Sequence, residues 1–109
     1  MDFENVEYIK NYDGDTITVN ISNVHPLLGH AVPVRVRGVD TEEMKSHTEL
    51  SYKSKMYVER IMRGATTITL RNCERCKYFR IVADVMVDGR SLAELLIKNG
   101  YSKSMKYPK

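Results

Sequence analysis

The run Thr16-Ile17-Thr18-Val19-Asn20-Ile21 alternates polar and apolar side chains and is rich in β-branched residues. A half-buried strand accommodates that period of two, whereas a helix would scatter it around its circumference. Just before it stand Asp13-Gly14-Asp15, a turn signal, and the shorter run from Glu7 to Lys10. Two strand-like runs joined by an Asp-Gly turn make a hairpin. After a loop from Ser22 to Ala31 that holds Pro26 and Gly29, the stretch from Val32 to Val39 resumes the alternation, with Pro33 near its start where a strand tolerates proline. The first third of the chain is thereby committed to β-structure.

The pattern then changes. Ser46 and Glu49 have capping-box spacing, and Leu50, Ser54, Tyr57, Val58 and Ile61 recur at helical intervals until Gly64 supplies a stop. Thr66 to Leu70 and Arg80 to Val87 read as two more strands, separated by a polar segment that contains Cys73 and Cys76. Asp88-Gly89 turns the chain, and Ser91 with Glu94 caps a second helix whose Leu92, Leu95, Leu96 and Ile97 face the core. The order is β-β-β-α-β-β-α. Five short strands with a helix inserted after the third predict a mainly β, α+β fold: a small Greek-key barrel of the OB type, a scaffold whose surface commonly binds nucleic acid. At 109 residues one core is expected, as a single domain over 1–109 with a short basic tail from about residue 102.

Charge adds a weak pointer. Lys and Arg number 17 against 14 Asp and Glu, a net +3, but Lys98, Lys103, Lys106 and Lys109 crowd the last dozen residues with no acid among them. That end suits a polyanion. No apolar run approaches the ~20 residues of a membrane span, and the acidic start, Met-Asp-Phe-Glu-Asn-Val-Glu, is unlike a signal peptide, so a soluble intracellular protein is expected. Cys73 and Cys76 form one C-x-x-C pair, where structural zinc normally takes four ligands; His25, His30 and His47 have no spacing that completes the set, so paired or free thiols at a turn are expected ahead of a zinc or redox site.

Three segments carry chemistry. Asp13-Gly14-Asp15-Thr16 reads either as a plain hairpin turn or as a turn in which one carboxylate ligates a hard cation. Val34-Arg35-Val36-Arg37-Gly38-Val39-Asp40-Thr41-Glu42-Glu43 runs a strand with two arginines directly into three acids. Strict alternation puts Arg35 and Asp40 on opposite faces, so both serve one site only if the strand bends, and Gly38 is where it can. Lys77-Tyr78-Phe79-Arg80 surrounds a tyrosine with cations, suited to phosphate and base contact or to an ordinary strand edge.

Together these segments resemble the staphylococcal nuclease, or thermonuclease-like, family. The resemblance runs from about Val6 to Gly100, through Asp13-Gly14-Asp15-Thr16, Val34-Arg35-Val36-x-Gly38-Val39-Asp40-Thr41-x-Glu43, Lys77-Tyr78-x-Arg80 and Val87-Asp88-Gly89-x-Ser91-Leu92. It implies calcium-dependent hydrolysis of DNA and RNA; separately, a monomer with no membrane partner is expected. On that resemblance Asp15 and Asp40 ligate the metal through carboxylates and Thr41 through its backbone carbonyl. Glu43 positions or deprotonates the attacking water, Arg35 and Arg80 grip the phosphoryl oxygens, and Lys77 and Tyr78 hold a neighbouring phosphate. Glu42 departs from the family's usual proline and Phe79 from its usual glycine. The alternative expectation is a barrel that binds nucleic acid without cutting it; a protein–protein adaptor ranks behind both.

Overall fold

In the computed structural model, which describes residues 1–41, 43–75 and 80–104, the alternating runs form β1 (Glu7–Asn11), β2 (Thr16–Asn20) and β3 (Val32–Val36), paired antiparallel in that order. Every second residue points inward: Ile17 and Val19 from β2 and Val32, Val34 and Val36 from β3 are all buried. β6 (Ile81–Val87) lies parallel to β3 with Arg35 level with Val82, and β5 (Ile68–Arg75) pairs antiparallel with β6. The sheet order is β1-β2-β3-β6-β5, with the two-residue β7 (Arg90–Ser91) attached to β6. The far edge of β5 meets the chain that leads into β1. Phe3 and Leu70 exchange backbone hydrogen bonds of 2.8 Å, and the Val6 N–H donates to the Ile68 carbonyl at 3.0 Å. The sheet thus curls into the OB-type barrel expected from the element order, with Leu70, Ala83, Val85 and Val87 completing the inner face.

The strand expected over Val32 to Val39 breaks in two. Gly38 takes φ +88°, a left-handed conformation that costs glycine little. The chain turns there into β4 (Val39–Thr41), which leaves the barrel sheet and pairs antiparallel with β8 (Ser102–Ser104). The residues from 102 to 104 are therefore strand. Cys73 is also in a strand and not at a turn: β5 runs on past Leu70 through an irregularity between Arg71 and Glu74, where Asn72 has φ 54°. Cys76 lies outside the described residues.

The first long helix, α2 (Glu49–Arg63), starts later than its capping-box spacing predicts. Met44–Ser46 form a 3₁₀ turn ended by His47 at φ 51°, and the cap is Thr48, whose Oγ1 accepts from the Ser51 N–H at 3.0 Å. Its buried face is Ser51, Ser54, Tyr57, Val58 and Met62, whereas Leu50 faces outward. Two serines on that face bring the helix close to β1, where Asn11 Nδ2 donates to the Lys55 carbonyl at 3.0 Å. The cap of α3 (Leu92–Lys98) is as expected, with Ser91 Oγ accepting from the Glu94 N–H at 3.2 Å; Leu92 and Leu96 are fully buried and Leu95 and Ile97 half-buried. One element falls inside the expected loop. A single turn, α1 (Pro26–Gly29), is capped by His25 Nδ1, and it leaves Leu27 and Leu28 88% and 70% exposed. Among the described residues no helix is long and apolar enough to cross a membrane.

Candidate active site

The β1–β2 turn and the end of β4 meet at one end of the barrel because Gly14 lacks a side chain. Its φ is not positive; what requires glycine is proximity, since a Cβ there would lie 2.8 Å from Thr41 Oγ1 and 2.9 Å from Thr41 Cγ2. Asp13, Asp15 and Thr41 are all nearly buried at this contact. Asp15 is held by several groups at once: Oδ2 accepts from the Thr41 N–H at 3.1 Å, Oδ1 accepts from Thr16 Oγ1 at 3.2 Å, and Arg35 Nη1 forms an ion pair with Oδ2. Burial, together with the Asp15 carboxyl beside it, pushes Asp13 up to about 7. Two carboxylates crowded in a site largely shut off from water create a demand for positive charge.

Arg35 supplies part of it. The strand break at Gly38 swings Asp40 back toward β3, so that Arg35 Nη2 lies 3.7 Å from Asp40 Oδ1 while Nη1 engages Asp15. The geometric demand placed on Gly38 is met by a turn between two sheets. Asp40 itself is exposed, with its backbone fixed by Ser102: the Ser102 hydroxyl accepts from the Asp40 N–H at 2.8 Å and donates to the Asp40 carbonyl at 3.1 Å. The second arginine of the strand plays no part here, because Arg37 pairs with Asp84 at 3.2 Å and with Glu74 at 3.4 Å.

The other sequence-predicted residues are less tightly gathered. Arg80 immediately precedes β6, and by strand alternation it shares the outer face with Val82, the residue level with Arg35. Its Nε is buried and, among the described residues, has no hydrogen-bond partner. Glu43 faces solvent two residues beyond Thr41 and pairs with Lys45 at 3.1 Å; among the described residues no hydrogen bond or ion pair joins it to Asp15, Arg35 or Asp40. Lys77 and Tyr78 lie outside the described residues. Two participants were not singled out by sequence. Asp13 carried a signal in the Asp-Gly-Asp triplet, but Ser102 carried none, because three residues are too short a run to show strand periodicity.

The donor chemistry fits a hard divalent cation. Asp15 beside the β1–β2 turn and Asp40 in β4 present carboxylate oxygens, and among the described residues Arg35 is the cation paired with Asp15. Among the described residues no group of three or more His, Cys, Asp or Glu side chains is disposed to hold a metal, so a bound ion would rely on two carboxylates together with backbone carbonyl and water.

An OB-type barrel with buried carboxylates and one arginine, Arg35, gathered at one end is the class of protein that the fold and the site define. Its family follows from comparison. The profile of the staphylococcal nuclease homologue family matches residues 33–109, more than half of the chain, and the protein belongs to that family. Family members are nucleases and are generally calcium-dependent. No curated protein is significantly similar to this chain.

Proposed function

We propose that the protein is a metal-dependent nuclease, with calcium as its ion, that hydrolyses phosphodiester bonds of DNA, RNA or both. The observation that carries this reading is the Arg35 guanidinium standing between Asp15 and Asp40, at a junction closed by Gly14 against Thr41. Asp15, Asp40 and the Thr41 carbonyl would hold the ion, which when bound supplies positive charge to the phosphoryl oxygens and acidifies bound water. Arg35 and Arg80 would each present a planar fork of donors to two phosphoryl oxygens, tightening as negative charge accumulates in the transition state. Glu43 would accept the proton of the attacking water as its oxygen bonds to phosphorus. The bond to the leaving sugar oxygen then breaks, and that oxygen takes a proton from solvent. Lys77 and Tyr78 would hold an adjacent phosphate.

A second reading has its own support. Arg35 is engaged by two acids and Glu43 by Lys45, an arrangement that also suits a barrel which binds nucleic acid and does not cut it. The purified chain, incubated with single-stranded DNA, duplex DNA and RNA in Ca²⁺, Mg²⁺ or chelator, decides between them. Cutting in Ca²⁺ that stops with chelator supports the nuclease. Binding without cutting in every cation replaces it with the binding module.

A further inference from the structure

Arg37 supplies no charge to the carboxylates, but it stands immediately before Gly38, where the chain leaves the barrel sheet for β4. Its side chain, 21% exposed, reaches across β6 to β5. Nη1 pairs with Asp84 at 3.2 Å, while Nη2 pairs with Glu74 at 3.4 Å and donates to the carbonyls of Asn72 at 2.7 Å and Val82 at 3.4 Å. The Arg37 N–H donates to the Ala83 carbonyl at 2.9 Å. These acceptors are themselves held: Asn72 Nδ2 donates to Asp84 Oδ2 at 2.9 Å, and Asp2 Oδ1 accepts from the Asn72 N–H at 2.9 Å. Asn72 has φ 54° within the irregular stretch of β5 between Arg71 and Glu74, a conformation that asparagine enters at small cost. A single ion pair in water contributes little. Here a planar fork shared between two carboxylates and two carbonyls ties β3, β6 and β5 together, and it fixes direction as well as place.

We propose that Arg37 is a positioning residue for Asp40, anchoring the end of β3 from which the Gly38 turn is launched. This rests on the reading of Asp40 as a ligand of the nuclease's ion. Glycine accepts many conformations, so at φ +88° the direction of β4 is set by what holds the two flanks of the turn. Downstream the flank is held by β8 and Ser102; upstream it is held by Arg37. The strand end so anchored also carries Val36, whose N–H donates to the Asp15 carbonyl at 2.8 Å, so the same anchor serves both sides of the site. Asp40 lies two residues, roughly 7 Å of extended chain, beyond the turn, and a swing of about 10° at Gly38 therefore moves it by roughly 1 Å. The Arg35–Asp40 pair already stands at 3.7 Å. Ligands of a bound ion must lie within about 0.2 Å of their ideal distances, so a displacement of that size takes Asp40 out of the site. Arg37 acts on it through the backbone alone.

The test follows backbone amide hydrogen exchange by NMR in the metal-free full chain. The Asp40 N–H donates to Ser102 Oγ and the Thr41 N–H to Asp15 Oδ2, so both amides report where β4 sits. Arg37→Met keeps the aliphatic stem and removes the fork. It should speed exchange at Asp40 and Thr41 about tenfold, while the amide of Val58 in the middle of α2 changes by less than about twofold. Asp84→Asn, which leaves Arg37 in place and removes one charged partner, should move the same two amides in the same direction and stands in if Arg37→Met does not fold. Arg37→Lys, a point charge in place of a fork, should fall between wild type and Arg37→Met. Titration calorimetry with Ca²⁺ should show affinity weakened about tenfold in Arg37→Met, with no such loss in an Asp40→Asn background. Equal acceleration at Asp40 and Val58 makes Arg37 a residue of general stability and overturns the proposal. Unchanged exchange at Asp40, or Ca²⁺ affinity equal to wild type, overturns it too. Failure of the nuclease reading is separate: a wild-type chain that binds no Ca²⁺ removes the ion, and exchange at Asp40 then decides the role of Arg37 by itself.

Discussion

Replacing Gly14 by alanine tests the contact on which the site depends. The added Cβ would stand 2.8, 2.9 and 3.0 Å from Thr41 Oγ1, Cγ2 and Cβ, about half an ångström inside ordinary contact near 3.4 Å. Thr41 has little room to retreat, being 4% exposed with its N–H bonded to Asp15. Overpacking of this kind costs about 1–3 kcal/mol, which should lower Tm by roughly 5–15 °C in a chain of this size. Because relief comes by moving β4 away from the hairpin, Asp15 and Asp40 separate as well. A misplacement of that order should cut kcat/KM by ~10²-fold. The decisive assay is a double-mutant cycle with Thr41→Ala, which removes the two nearest atoms, one of them a hydroxyl oxygen that has no hydrogen-bond partner among the described residues. Gly14→Ala should be at least about 1 kcal/mol less harmful in that background, measured by urea melts. Additivity within ~0.5 kcal/mol would show that the two residues do not press on one another and that Gly14 serves only the turn.

Other outcomes follow from the same geometry. Arg35→Ala and Arg80→Ala should each lower kcat by ~10²–10³-fold with a smaller effect on KM; a rise in KM alone would make the surface a phosphate-binding one. Folding lifts the Asp13 carboxyl from its unfolded value near 4 to about 7, so its contribution to metal-free stability is whole below about pH 4 and is lost as pH rises toward and through 7. Asp13→Asn should flatten that slope, and saturating Ca²⁺ should flatten it in the wild type; urea melts at pH 5 and 8 with an unchanged slope in the variant would remove Asp13 as its source. Replacing Cys73 and Cys76 by serine should leave kcat/KM unaltered, since burial pushes the Cys73 thiol up and away from reactivity; stoichiometric zinc that disappears along with activity in the double variant would show otherwise.

Much of the barrel was legible because its signals are local. Ile17, Val19, Val32, Val34 and Val36 announce their inward face by alternation, and Ser91 with Glu94 announces a helix start. What escaped depends on residues far apart in sequence. Thr48 displaced Ser46 as helix cap because the chain from Met44 first makes a tight turn, and Leu50, apolar and at helical spacing, lost its place inside to Ser51, which together with the expected Ser54 is small enough to let the helix approach β1. The pairing of β4 with β8 joins residues about sixty positions apart and left no periodic trace. Within the site, Arg35, Asp15 and Asp40 meet as the motif implied, but the reason for glycine at position 14 was misread as turn conformation, when it is room for Thr41.

The hydrogen bonds between Ser102 and Asp40 also set an order in time. Ribosomal synthesis delivers Asp15, Arg35, Asp40 and Glu43 in the first half of the chain, and the barrel strands through β6 can pair once residue 87 has emerged. Among the described residues, the hydrogen bonds that fix the Asp40 backbone come from Ser102 and β8, so they form only once residue 102 arrives and β8 docks on β4. A nascent chain therefore carries its acids and its first arginine on a bend that is still free to move. On the hydrolytic reading, a chain cut back before residue 102 should hold its ion more weakly than one that carries β8, because the Asp40 backbone then lacks the Ser102 hydroxyl.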